Sequence, residues 1–172
     1  MSSGLANVRT AIFNTLSGVS GIAAGAAQVH RYFRIARTDG EVKALLTVPG
    51  HLHVWMIALA GSDPYITVNS AGTPGRDPAN TEHATYTFNL HGYYSVKDSV
   101  NSEETFVGIV EAVIAAFRAD KKLQGTVIDS GPIQWVQGGG PPDGHVMFPR
   151  GEGGVLCHYA RLSLSAHEQV EP

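Results

Sequence analysis

The sequence has a single cysteine, Cys157, so no disulfide can form within the chain. Only 16% of its residues are charged and the formal net charge is −3. A general nucleic-acid surface needs a dense basic face, and this balance argues against one. No apolar run reaches the roughly 18 residues that would argue for a transmembrane helix. Residues 1–16 have neither the basic start nor the uninterrupted apolar stretch of a signal peptide. The expectation is a protein made and used in the cytoplasm, with no membrane as a partner.

What is present is a globular composition, 43% apolar over 172 residues. A chain of this size buries roughly 70% of its unfolded surface, so neither a disulfide nor a metal is required to hold it. One domain over residues 1–172 is the expectation. Residues 1–50 carry five basic and two acidic side chains, an asymmetry too small to name a partner.

Leu5, Val8, Ile12 and Leu16 repeat at spacings of three and four, which predicts an amphipathic helix stopped by Gly18 and Gly21. Residues 29–36 alternate imperfectly and are rich in aromatic and branched side chains, a strand pattern. Residues 41–48 are expected to pair with them across the Asp39-Gly40 turn. The nearly all-apolar stretch 54–60 suits a central strand covered on both faces. Residues 84–96 give the clearest strand, with Ala84, Tyr86, Phe88, Leu90, Tyr94 and Val96 on a core face and Thr85, Thr87, Asn89 and His91 on a polar one.

Ser102, Glu103 and Glu104 read as an N-cap and an acidic first turn. Phe106, Ile109, Val110, Val113, Ile114 and Phe117 then continue at helical spacing. Residues 126–129 and 133–137 resemble short strands. Residues 155–167 form a closing strand with Leu156, His158, Ala160, Leu162, Leu164 and Ala166 on one side and Tyr159, Arg161, Ser163 and Ser165 on the other. Two stretches carry clustered Gly and Pro, residues 61–83 and 138–154, and are expected to be long loops serving as interaction arms. Helix, strands, helix, strands define an α+β fold: a mixed, mostly antiparallel β-sheet with two main helices packed on it.

The chemistry-bearing residues make few patterns. His51 and His53 would project to one side of a strand as paired ligands do, but a third and fourth ligand at suitable spacing are missing. The expectation is no metal and no cofactor, with both histidines half-exposed. Cys157 and His158 are neighbours in a strand and point to opposite faces, so they cannot share a proton as nucleophile and base. His83-Ala84-Thr85 matches the H-x-T element of two-histidine phosphoesterases, which require two copies, and only one is present. Gly138, Gly139 and Gly140 lack the Lys-Ser or Lys-Thr that completes a phosphate-binding loop. No catalytic residue is assigned.

Taken together, the order of elements resembles the tail terminator (tail completion) proteins of long-tailed bacteriophages. The resemblance spans most of the chain. It is carried by the first helix ending in Leu16-Ser17-Gly18-Val19, by Val29-His30-Arg31-Tyr32, by the strand bearing Trp55 and by His91-Gly92-Tyr93-Tyr94. The helix over residues 106–118 and the closing Leu156-Cys157-His158-Tyr159-Ala160 strand complete it.

The resemblance implies a non-enzymatic virion protein, assembled in the host cytoplasm and located at the head-proximal end of the tail. It implies self-association into a ring, most often a hexamer, capping the tail tube. The implied partners are the tail-tube protein and a head-tail connector or neck protein, with genomic DNA passing through the ring. The expected subunit contact joins Arg31, Arg34 and Arg37 of one copy to Glu103, Glu104 and Glu111 of its neighbour. A neck or head-completion adaptor is the alternative in the same setting. A small metal-dependent hydrolase built on His51, His53, His83 and His91 is the alternative of another class.

Overall fold

A computed structural model describes residues 4–34, 46–48, 51–67, 81–96, 101–136, 145–148 and 155–170. The first helix, α1, runs Gly4–Ser17 and buries Val8, Ala11, Ile12 and Leu16, the stripe that the spacing predicts. Gly21 ends the turn after it in the left-handed region (φ +85°). A Cβ there would come within 2.9 Å of Ile109, so the position requires glycine both for its backbone and for its close approach to the second helix.

That helix, α2, spans Ser102–Ala119 and buries Phe106, Ile109, Val110, Val113 and Phe117. Its N-cap is Asn101, in a left-handed conformation, rather than Ser102. The Asn101 side-chain amide donates to the Glu104 carboxylate. The Ser102 hydroxyl is thereby left for a different partner on the sheet.

The strands are β1 (Gln28–His30), β2 (Leu46–Val48), β3 (His51–Thr67), β4 (Thr81–Ser95), β5 (Asp129–Ser130), β6 (Gln134–Trp135), β7 (His145–Phe148) and β8 (Val155–Val170). The sheet runs β1-β3-β4-β8-β5, with β2 joined to β3 and both β6 and β7 joined to β8. Among the described residues only β1 against β3 is parallel, and the other pairings are antiparallel. The fold is α+β, mixed and mostly antiparallel with two main helices on the sheet, as the order of elements predicts.

Register assigns the faces. Trp55 lies opposite Gly92, and Gly92 opposite Ala160; Ile57, Leu90 and Leu162 form the next row. These residues and Phe88, Leu164 and Ala166 pack with the buried stripes of α1 and α2 into the main core. We call this side face 1. Each large side chain fully buried there contributes roughly 1.5–3 kcal/mol.

Face 2 carries a smaller cluster of Leu52, Val54, Met56, Tyr93, Phe148 and Cys157. The expected division of β4 into a core side and a polar side therefore holds over residues 84–91 and fails at Tyr93, which is buried on the second side.

Four expectations change. Of the strand predicted over residues 29–36, β1 ends at His30 and residues 31–34 leave the ladder, the Arg34 amide donating to Met56 Sδ (3.4 Å); residues 35–36 lie outside the described residues. Residues 46–48 pair with β3 rather than with β1, and the Asp39-Gly40 turn lies outside the described residues.

Of the loop expected at 61–83, residues 61–67 and 81–83 are strand, and 68–80 lie outside the described residues. β3 continues to Thr67 and β4 begins at Thr81, and the two pair as far as Thr67↔Thr81. A bulge between Leu59 and Gly61 absorbs the Gly61-Ser62 break. Pro64 fits because, among the described residues, β3 has a neighbour only on its β4 side there. Within the loop expected at 138–154, His145–Phe148 is a strand that pairs with Val155–His158 of β8.

Candidate functional site

The two candidate patches lie on opposite sides of the sheet. After β1 the chain turns through Arg31, Tyr32, Phe33 and Arg34, all exposed. Tyr32 is 61% and Phe33 41% accessible, unusual for adjacent aromatic side chains. The Phe33 ring stands edge-on to His91 at 4.9 Å between centroids. Since His91 is opposite Met56 and Arg161 in the register, this segment lies against face 2.

A half-buried shelf backs the segment. His91 Nδ1 and the Tyr159 hydroxyl share a hydrogen bond of 2.8 Å, and the two rings stack at 6.0 Å. Tyr159 continues to Tyr93 at 5.0 Å, and Tyr93 to Phe148 at 4.4 Å. Burial, with the Arg161 guanidinium adding to it, brings the His91 pKa down to about 4, so the ring is neutral at physiological pH.

The predicted basic residues separate. Arg31 lies over the Phe13 ring of α1, its guanidinium carbon 4.7 Å from the centroid, a cation-π contact that ties it to its own subunit. Arg34 follows Phe33 on the face 2 side. Arg37 lies outside the described residues. Glu103, Glu104 and Glu111 are exposed on α2, which covers face 1.

His51 and His53 do project to one side, both edge-on to Tyr94 at 4.8 and 5.0 Å. Neither is arranged as a ligand. The Trp55 indole N–H donates to His53 Nε2 (3.2 Å), which requires the proton on Nδ1, and Nδ1 donates to the Ala26 carbonyl (3.0 Å). His53 is 2% accessible, not half-exposed as expected, and burial brings its pKa down to about 4. His51 Nδ1 shares a hydrogen bond with the Ser95 hydroxyl (2.8 Å), whose oxygen also accepts the Leu52 amide.

The histidines of the hydrolase alternative are not brought together. His51 and His53 are on face 1 and His91 is on face 2, while the His83 side chain lies outside the described residues. Among the described residues no group of three or more His, Cys, Asp or Glu could hold a metal.

Cys157 and His158 point to opposite faces, as the strand reading requires. His158 Nε2 bonds with the Ser102 hydroxyl (2.9 Å). A polar groove along α1 is lined by Asn7, Thr10, Asn14, Gln124, Thr126 and Glu168. The Glu168 carboxylate is turned toward Gly4 and the Tyr86 hydroxyl, and burial raises its pKa.

The sequence groups Tyr32 with Arg31, Arg34 and Arg37 as a basic and aromatic set, but it does not join Phe33, Tyr159 and Arg161 to that surface. The alternation of β8 already put Tyr159 and Arg161 on the side away from Leu162. What it lacked was the turn that brings Phe33 over them. No family model matches the chain, and no curated protein matches it.

Proposed function

We propose that this chain is a structural virion protein of a long-tailed bacteriophage: a tail terminator whose subunits form a ring, most often of six, that caps the tail tube and joins it to the head or neck. Its partners in this reading are further copies of itself, the tail-tube protein and a head-tail connector or neck protein, with genomic DNA only passing through the ring. It acts without catalysis, at the head-proximal end of the tail, after assembly in the host cytoplasm.

One observation carries the reading beside the order of motifs. α1 and α2 pack on one face of the central sheet around the main core, while the other face carries a separate and smaller apolar cluster, so the two sides of the subunit are unlike. Unlike sides suit head-to-tail contacts, and such contacts give closed rings when the rotation between neighbours closes.

The test uses the purified full chain. Its mass is followed over a wide concentration range, the most concentrated sample is imaged by negative stain, and the protein is then mixed with isolated tail tubes. Rings seated on tube ends support the terminator. Binding to connectors but not to tubes moves the role to the neck or head-completion adaptor. Neither rings nor end-binding to tubes or connectors overturns the virion reading.

A further inference from the structure

The exposed segment Arg31–Arg34 presents what a protein contact surface is enriched in: two adjacent aromatic rings and an arginine over a rigid support. The support is built. Phe33 is braced by His91, His91 is bonded to Tyr159, and Arg161 lies directly opposite His91 in the strand register. Among the described residues, the cationic side chains beside the segment on this side are Arg34 and Arg161. The nearest described acidic group in the face 2 register is Asp129, six residues along β8 from Arg161, opposite His167.

The complementary surface is on the other side of the same subunit. The outward stripe of α2 holds Glu104, Val107, Gly108 and Glu111, all exposed. Val107 is 36% accessible, and nothing lies within 4 Å of a Cβ built on Gly108. The stripe is therefore a shallow apolar hollow between two carboxylates about two turns, or roughly 10 Å, apart along the helix. The cations of this helix region, Arg118, Lys121 and Lys122, lie at its far end.

We infer that Tyr32, Phe33 and Arg34, backed by His91, Tyr159 and Arg161, are the seat for the acidic stripe of α2 of a second copy of this chain. In that contact the Tyr32 ring fills the hollow at Val107 and Gly108, and Arg34 pairs with one of the carboxylates that flank it, Glu104 or Glu111. Charge complementarity selects the occupant: the seat is basic, the stripe acidic, and each has an apolar centre with a charged rim. The two patches lie on opposite faces of the sheet, so they cannot meet in a symmetric dimer. The contact is head-to-tail, and each copy offers one seat and one stripe. The inference rests on the ring-forming reading proposed above and names the surfaces that make the ring. It moves the expected basic partner away from Arg31, which is engaged with Phe13.

Five variants test it by sedimentation velocity across a concentration series, with far-UV circular dichroism and thermal melting confirming the fold of each. Arg34→Glu alone, the pair Glu104→Arg with Glu111→Arg, and Tyr32→Ala are each expected to weaken self-association by roughly tenfold or more. Combining Arg34→Glu with the Glu104→Arg and Glu111→Arg pair is expected to restore it. Lys122→Glu, at the far end of the helix, is expected to leave it unchanged.

Unchanged association in the single reversals, failure of the combined reversal to restore it, a strictly two-fold dimer, or a wild-type monomer at every concentration each overturns the inference. The terminator reading fails separately. If these surfaces drive self-association but tubes are not capped, the contact stands and the role falls; if tubes are capped by variants that ignore the reversals, the role stands and the contact falls.

Discussion

Gly92 lies flat beneath the indole of Trp55: the two are cross-strand partners, and a Cβ built on Gly92 would come 2.7 Å from Trp55 Cη2 and 2.8 Å from Cζ2. The indole is fully buried, and its N–H is committed to His53. The ring is therefore held on two sides, by backbone below and by a hydrogen bond at its edge. The absence of a side chain at Gly92 allows β4 to pass under the largest residue of the core.

Gly92→Ala is expected to destabilise the fold by about 1–3 kcal/mol, the range for an extra methyl forced into a packed core. Urea unfolding followed by tryptophan fluorescence measures it. Because the clash is with one ring, the loss is expected to be smaller when Trp55→Phe is already present. Equal losses in both backgrounds would mean that the strain is in the backbone and not against the indole.

The buried imidazole of His53 makes stability fall in acid. Its pKa is about 4 in the fold against 6.5 for an ordinary histidine, so between those values the unfolded chain binds more protons and stability rises with pH. The contribution is fully present above pH 6.5 and is lost as pH falls toward 4, in total about 3 kcal/mol. His91, lowered to the same region, steepens the same window. Chemical denaturation at a series of pH values is expected to show this slope, and His53→Gln to reduce it. A variant with the wild-type slope would assign the acid sensitivity to other groups.

The parts of this fold legible in the sequence are those where one physical period dominates. The spacing of three and four in α1 and α2, and the alternation of β4 over residues 84–90, follow from which side faces a single large core. Punctuation misled where position compensates for it. Gly61 and Pro64 read as loop, yet a bulge and a stretch with only one described neighbour accommodate both within β3. β7 was hidden by the glycines before and after it, because its stability comes from β8 and not from its own composition.

The candidate surface was legible only in halves. Arg34 and the three glutamates stand out by charge. Phe33 joins them through contacts with His91, far away in sequence, and neither local pattern nor spacing carries that information. The same holds for His53. A polar residue at the start of an apolar strand reads as half-exposed, and it is buried because Ala26 and Trp55, from two different places in the chain, satisfy both ring nitrogens.

Ser102 and His158 join the first turn of α2 to β8 by a buried hydrogen bond. Removing the hydroxyl from such a pair costs about 1–3 kcal/mol. Ser102→Ala is therefore expected to lower the unfolding midpoint, with no change in denaturant dependence. Glu103→Ala, exposed one residue further on, is the control and is expected to change stability by at most about 0.5 kcal/mol. If the two substitutions had equal effects, the helix terminus rather than the bond to His158 would account for the loss.

Cys157 is fully buried, and its S–H donates to the Val155 carbonyl (3.4 Å). Burial pushes the thiol from 9.0 up to about 12. Only the thiolate reacts with disulfide reagents, so the shift alone lowers the reactive fraction by about a thousandfold at neutral pH, before the steric block is counted. His158 cannot reverse this, since it lies on the other face with Ser102. The native protein is expected to be silent toward an aromatic disulfide reagent and to release one equivalent of chromophore on unfolding. In low urea the labelling rate is expected to follow the fraction opened at β7 and β8, because Cys157 lies on β8 opposite Val146 of β7 and packs in one cluster with Tyr93 and Phe148. Labelling of the native protein at the rate of a free thiol would show that this cluster on face 2 is open, and the seat built beside it on His91 and Tyr159 would lose its rigid backing.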